Sequence, residues 1–336
     1  MNHSREAVTA MAEAPSNIAL IKYMGKRAGQ PVNSSLSYTL KHLRTAVVIV
    51  NSSGAEDEWR PLDSKTYFTG SLQWAAPNLS EFSKRRFLNH FHFLKTKLGL
   101  NGYFVIQSAN NFPADCGIAS SASSFAALTM ATLEIAKKMD PRLDVTWEQA
   151  AQLSRQGSGS SIRSFYEPFA LWNTNACETW HSIFEPFHHQ VVLVDGKQKL
   201  ISSSEAHTRV ITSLLFRGRE DRAEERLRLL KGALGTQGNW RMAYEIMTAE
   251  FWDMHTLFHT AQPPFRYLTA KTIAVVDIVE EFWKDAGDGP LVTLDAGPNV
   301  HLLYRSTQLD MARAIYKRIQ DIQPSSQIVT SGDANG

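Results

Sequence analysis

Short runs rich in β-branched and aromatic residues alternate with longer stretches of helical periodicity, and this alternation constrains the fold more than any other feature. Ala46–Val50 and Tyr103–Gln107 read as strands. Between them Glu81–Leu98 reads as a helix, with Ser80 as N-cap, Gly99 past its end, and Phe82, Phe87, Leu88, Phe91, Leu94 and Leu98 at helical spacing. A second helix is expected from about Ser121 to Met139, and a third from about Thr146 to just before Gly157. Gln190–Val194 is a strongly apolar strand. Beyond it the pattern predicts helices over Ser204–Phe216, Arg219–Leu230, Trp240–Phe258, Ala270–Lys284 and Asp310–Ile319. Strands are expected at Leu291–Leu294, Val300–Tyr304 and Gln327–Thr330. Such interleaving excludes a helical bundle and a sandwich, leaving an α/β or α+β protein.

The 336 residues suggest two domains. Trp180–His189 looks like the crossover, so the expected division is 1–187 and 188–336. A hydrophobic content of 43% with 20% charged residues argues against disorder. The formal charge of +2 is too small to imply nucleic acid or an anionic membrane as the main partner. Cys116 and Cys177 form neither a disulfide framework nor a zinc pattern, which suits a reducing cytoplasm. Met1–Ala14 lacks the apolar core of a signal peptide, and no apolar run approaches the ~18 residues of a membrane span. A soluble cytoplasmic protein is expected.

There is no P-loop, no strand-anchored G-x-G-x-x-G, no H-E-x-x-H and no G-x-S-x-G. His90/His92 and His188/His189 lack further ligands at metal spacing, so no residue is assigned to a metal. Four segments remain. Pro113–Ala122 follows a strand, contains Gly117, Ser120 and Ser121, and opens into a helix, so it offers backbone donors and a helix N-terminus to a phosphate. Taken alone, the same residues read more simply as a helix cap, with Ser120 or Ser121 capping the first turn. Arg155–Ser164 has two glycines, four serines and the planar forks of Arg155 and Arg163, suited to phosphate or carboxylate, or else is a polar loop. In Asn17–Arg27, Lys22 interrupts an apolar run and needs a partner, whereas Lys26 and Arg27 suit a surface. Asp295 ends an apolar strand before Gly-Pro; it either projects into a cleft or bonds its own turn.

At these residues the chain resembles the diphosphomevalonate decarboxylases of the GHMP kinase superfamily. The stretches that carry the resemblance are 14–27, Asn33–Ser37, Asn111–Pro113 with Gly117–Ala122, Arg155–Ser160 with Arg163–Ser164, Phe258–Thr260 with Pro263–Pro264, and Asp295–Asn299. The resemblance implies a two-lobed α+β fold, with a ribosomal-S5-domain-2-like N-terminal lobe and a ferredoxin-like C-terminal lobe, usually homodimeric. It implies an ATP- and Mg²⁺-dependent lyase of the mevalonate pathway of isoprenoid biosynthesis. Such an enzyme converts mevalonate 5-diphosphate into isopentenyl diphosphate, ADP, phosphate and CO₂. Phosphorylation turns the tertiary 3-hydroxyl into a leaving group, and its departure draws electrons from the breaking C–CO₂ bond.

Carried over, Asp295 is the catalytic carboxylate, Lys22 lies beside it and keeps it ionised, and Arg163 holds the substrate carboxylate. Asn17 orients the substrate. Tyr23, Lys26, Ser158, Gly159 and Ser160, with Ser202 or Ser203, bind the diphosphate. Gly117, Ile118, Ala119, Ser120 and Ser121 bind the ATP phosphates. The chain departs from the family at Met24, where Trp is usual, and at Asp115 and Cys116, where small neutral residues are usual. Glu167-Pro168 and Ala206-His207 replace Gly-Gly and Gly-Met. The last pair bears on the 5-substituent, so a decarboxylase of mevalonate 5-phosphate is the alternative. A kinase that stops after phosphorylation and a non-enzymatic nucleic-acid binder are further readings; CO₂ release excludes the first, and ATP turnover without RNA binding excludes the second.

Overall fold

The computed structural model describes residues 9–27, 30–68, 74–112, 120–173, 176–194 and 201–331. The chain forms two compact units, one of residues 1–17 and 40–166, the other of residues 18–39 and 167–336. Strands β1 (Thr9–Ile21) and β4 (Ser35–Ser52) each contribute to both.

In the first unit, Thr45–Ser52 of β4 pairs antiparallel with β6 (Tyr103–Asn110), and β5 (Glu58–Pro61) lies parallel to β6. Helices α1 (Ser64–Tyr67), α2 (Glu81–Lys97), α3 (Ser120–Met139) and α4 (Trp147–Arg155) belong to it, with α3 packed against α2 and α4. The expected caps form. Ser80 accepts from Ser83 N–H, and Thr146 and Gln149 build a reciprocal capping box. The face of α3 carrying Phe125, Leu128, Leu133 and Ile135 is buried.

In the second unit, Ser35–Tyr38 pairs antiparallel with β7 (Phe169–Trp172), which pairs with β8 (Cys177–Trp180). A separate antiparallel sheet has the order β10–β11–β9–β12, from Leu291–Thr293, Val300–Tyr304, His188–Leu193 and Gln327–Thr330. Helices α6 (Arg219–Leu234) and α7 (Trp240–Thr260) pack together, with α7 against β10. Helices α8 (Ala270–Ala286) and α9 (Leu309–Ile322) follow.

One expected helix does not form as a single element. Ser204–Phe216 is a short helix α5 (Ser203–Arg209) followed by two one-turn 3₁₀ segments, Val210–Thr212 and Leu214–Phe216. Three successive β-branched residues weaken the helix there. Ser213 then turns extended, and its hydroxyl accepts Leu215 N–H at 3.1 Å, which a continuing helix would not allow.

Candidate active site

The second unit brings Lys22 and Asp295 together across 273 residues of sequence: Lys22 Nζ donates to Asp295 Oδ1 at 2.7 Å. Lys22 is the first residue past β1 and is 2% exposed, so its ammonium requires an anion. Asp295 follows β10 and Leu294, and its side chain is 29% exposed, so it is partly open to solvent. Its turn is closed by main chain, with Gly297 N–H donating to the Asp295 carbonyl at 2.7 Å. Thr293 Oγ1 ties β10 to the Ala19 carbonyl at 3.1 Å, fixing the two strands that deliver the pair.

An apolar cluster supports these loops. Met24 and Ala296, each a step or two from the ion pair, pack with Ala206, Val210, Met254, Leu257, Phe258 and Tyr267. The methionine at 24 is therefore a packing residue. His255 is fully buried nearby on α7. Desolvation first, then the positive charges of Lys22 and His259, hold its imidazole down at about 3, against a small opposing pull from Asp295.

A histidine neutral in the native state and chargeable when unfolded favours unfolding as pH drops. Its stabilising contribution is whole above pH 6.5 and is lost from there down towards about 3. His255→Leu should therefore flatten the acid-side fall of the urea midpoint between about pH 6.5 and 4, where one unmatched proton is worth about 1.4 kcal/mol per pH unit. An unchanged slope in the variant would rule His255 out. His90, lowered to about 4 by burial and then by Arg86, acts in the same direction, so part of the slope remains.

Tyr23 packs edge-on against Trp172, ring centroids 5.2 Å apart, and lies 4.4 Å from the His207 ring. Gly25 N–H donates to His207 Nδ1 at 3.0 Å. A backbone N–H only donates, so Nδ1 is the bare nitrogen and the proton sits on Nε2. Gly25 has φ +97°, and a Cβ there would sit 2.5 Å from the Phe216 ring. Gly25→Ala should cost about 2 kcal/mol or more, read as a lower denaturation midpoint. Wild-type stability would mean that Phe216 moves aside freely. Lys26 is exposed on a two-residue hairpin, β2 (Lys26–Arg27) with β3 (Gln30–Pro31). Ser202 and Ser203 are exposed at the start of α5, where the Ser202 hydroxyl caps the helix by accepting Glu205 N–H at 3.1 Å.

The first unit gathers the other expected residues. Asn17 Nδ2 donates to Ser164 Oγ at 2.9 Å and to the Ser160 carbonyl at 3.4 Å. Its Oδ1 is buried with no partner among the described residues, an acceptor suited to a substrate hydroxyl. Arg163 lies between Ser160 and Ser164 in a one-turn 3₁₀ helix, Ser161–Phe165, and is only 6% exposed. The serine loop is stitched internally: Ser161 Oγ donates to the Ser158 carbonyl at 2.7 Å, and Ser154 Oγ to Ser161 Oγ at 2.6 Å. Ser158 Oγ lies 3.2 Å from Ser160 Oγ and 3.5 Å from Ser121 Oγ, bringing the serine loop to the first turn of α3. Gly159 is half-buried in that loop. Ser120 and Ser121 open α3, whose first turn has no acidic residue, a donor set that fits phosphate oxygens. Gly117, Ile118 and Ala119, with Asp115 and Cys116, lie outside the described residues.

Sequence reading missed several residues that hold the Lys22 segment. Glu250 accepts Lys22 N–H at 2.8 Å, while Arg219 and Asn33 donate to the Lys22 carbonyl at 2.9 and 3.0 Å. The available signal was Glu250 and Asp253 in the largely apolar stretch Ile246–Phe258; Arg219 opens a heavily charged segment and carried no such signal.

Among the described residues, no three His, Cys, Asp or Glu side chains are grouped to hold a metal, and no helix is long and apolar enough to cross a membrane. Residues 14–184 match the diphosphomevalonate decarboxylase-like N-terminal domain family, and residues 190–334 the mevalonate 5-diphosphate decarboxylase C-terminal domain family. The chain is 42% identical to a mevalonate diphosphate decarboxylase from Legionella pneumophila, covering 96% of this chain and 100% of that one with a TM-score of 0.86. It is 26% identical, with a TM-score of 0.81 over 96% of each chain, to the structure of MDDEF in complex with MVAPP, AMPPCP and magnesium. It is 30% identical to a diphosphomevalonate decarboxylase from Aspergillus fumigatus, over 94% of this chain and 81% of that protein. The α+β fold of the GHMP kinase type expected from the sequence is the fold observed. On both family models and on similarity along nearly its whole length, the chain belongs to the diphosphomevalonate decarboxylase family.

Proposed function

We propose that this chain catalyses the ATP-dependent decarboxylation of mevalonate 5-diphosphate to isopentenyl diphosphate, releasing ADP, phosphate and CO₂. The observation that carries the reading is the Lys22–Asp295 pair, a buried ammonium donating at 2.7 Å to a partly exposed carboxylate. Asp295 takes the proton of the 3-hydroxyl as that oxygen attacks the γ-phosphorus of ATP, a contribution of about 10²–10⁴-fold for a well-placed base. Lys22 fixes the carboxylate and offsets the charge gathering at the reacting oxygen.

Arg163 presents a planar fork to the substrate carboxylate until the C–C bond breaks and its electrons form the alkene as phosphate leaves. Asn17 Oδ1 accepts from a substrate hydroxyl. Tyr23, Lys26, Ser158, Gly159, Ser160, Ser202 and Ser203 serve the diphosphate. Ser120 and Ser121, with Gly117, Ile118 and Ala119, serve the ATP phosphates, and Mg²⁺ brought with the nucleotide would supply charge neutralisation there. The relative that binds MVAPP, AMPPCP and magnesium supports this set of ligands.

The family models end at 184 and resume at 190, which supports a domain division of 1–187 and 188–336. The reading further takes the enzyme as a cytoplasmic homodimer acting on a small molecule, without nucleic acid. Parallel assay of ADP and CO₂ with mevalonate 5-diphosphate and the 5-monophosphate offered separately is the test. Equal release of both products on the diphosphate alone is expected. Turnover chiefly on the monophosphate would replace the substrate assignment, and ADP without CO₂ would replace the reaction.

A further inference from the structure

Lys22 follows the last residue of β1, so its main-chain groups have left the strand just where its side chain must be held most firmly. Buried peptide groups outside a ladder need partners from elsewhere. Here they come from two helices and a loop remote in sequence. Glu250 of α7 accepts Lys22 N–H at 2.8 Å. Arg219, at the start of α6, donates Nη2 to the Lys22 carbonyl at 2.9 Å, and Asn33 Nδ2 donates to the same oxygen at 3.0 Å. Arg219 and Glu250 are each fully buried and bond each other through both guanidinium nitrogens, including Nη1 to Oε2 at 3.0 Å.

We propose that Glu250 and Arg219 are positioning residues: together they clamp the two peptide groups flanking Lys22 and so fix its ammonium against Asp295.

This inference rests on the decarboxylase reading for the importance of the Lys22–Asp295 pair, but not for the clamp itself. A buried ion pair is a poor means of stabilising a fold, because apolar residues of similar volume do as well or better. Its use is geometric. A carboxylate accepts a peptide N–H along one lone pair and a guanidinium along the others, and the guanidinium has a donor left for the peptide carbonyl two bonds on. Outer charged groups surround the pair. Asp253 bonds Arg219 at 2.9 Å, and Arg226 reaches Glu250 and Asp253 at 3.0 and 2.6 Å. Burial opposes the charge on Arg219, but Glu250 and Asp253 outweigh it and raise its pKa. Desolvation is likewise outweighed at Asp253, which Arg222, Arg219 and Arg226 hold at about 2.

Asp253 makes the clamp testable, because it shares the network but has no bond to Lys22 among those that hold that segment. Arg219→Lys keeps the charge but cannot hold the Lys22 carbonyl and both Glu250 oxygens at once. It should lower kcat by about 10- to 100-fold with KM for both substrates within about threefold, the signature of a misplaced rather than a missing group. Asp253→Asn should lower the melting temperature but leave kcat within about twofold. Crystal structures of both variants give a readout that needs no turnover: the Lys22 Nζ to Asp295 Oδ1 contact should open in Arg219→Lys and persist in Asp253→Asn.

Should Arg219→Lys not fold, Asn33→Ala removes one donor from the Lys22 carbonyl without touching a charge, and should lower kcat about tenfold. Equal kcat losses in Asp253→Asn and Arg219→Lys would make the network a purely structural block and overturn the proposal. So would wild-type kcat with an intact ion pair in a folded Arg219→Lys or Asn33→Ala. Wild-type enzyme that releases neither ADP nor CO₂ would sink the functional reading instead, with the clamp still judged by the crystallographic distance.

Discussion

Asp295→Ala is expected to cut kcat by about 10³-fold or more while ATP and mevalonate 5-diphosphate still bind within a few-fold of wild type. The expectation follows from where the carboxylate sits. It is accessible enough to meet a substrate and bonded at 2.7 Å to an ammonium that is itself 2% exposed. Truncation removes the proton acceptor and also strands a buried cation, a loss that costs about 3–5 kcal/mol when one member of a buried pair is deleted. Asp295→Ala should therefore melt earlier as well. Asp295→Asn separates the two effects, since the amide keeps the shape and an acceptor for Lys22 but has no basicity. It should recover much of the lost stability and almost none of the lost rate. Turnover within tenfold of wild type in Asp295→Asn would remove the carboxylate from proton transfer and leave it as a structural partner of Lys22.

Both members of this pair were visible in the sequence, Lys22 because it breaks a local rule and Asp295 because of where it stands in its loop. A lysine inside an apolar run is costly unless something answers it, and an aspartate between an apolar strand and a Gly-Pro turn stands where a side chain can enter a cleft. What the sequence could not display is how the answer is held. Lys22 and Glu250 are 228 residues apart, and Lys22 and Arg219 are 197 apart. Periodicity reports which face of a helix is apolar; it does not say which charge on that face bonds a distant peptide group. The same limit hides His207, whose ring nitrogen takes the Gly25 N–H.

The helices were the legible part of the fold. Glu81–Lys97, Ser120–Met139 and Trp147–Arg155 begin and end close to where their caps and spacing indicate, because caps and periodicity are local signals. The long strands were not. β4 runs Ser35–Ser52, but only its Ala46–Val50 segment is continuously apolar. The polar residues that precede it, such as Ser35, Ser37 and Thr39, are buried, so composition there resembles a loop. The Ser204–Phe216 stretch failed in the opposite sense, reading as one helix on apolar spacing while three β-branched residues and the Ser213 hydroxyl broke it.

Arg163→Gln should lower kcat/KM by about 10²–10³-fold, the loss expected when one member of a desolvated charge pair is removed and its partner must bind alone. Arg163 is 6% exposed in a short 3₁₀ turn, so its guanidinium is already largely stripped of water before any ligand arrives. That desolvation strengthens its attraction for a carboxylate and raises the cost of offering that carboxylate a neutral amide instead. Arg163→Lys keeps the charge but loses the planar fork, and should fall between the glutamine variant and wild type. The ratio of products adds a second test. If Arg163 holds the carboxylate while the C–C bond breaks, then whatever phosphorylation survives in Arg163→Gln should yield CO₂ less efficiently than ADP. Products that fall in step would put its contribution at or before phosphoryl transfer. Activity like that of a surface variant would mean that the substrate carboxylate is held elsewhere, with Arg163 serving only to brace the loop between Ser160 and Ser164.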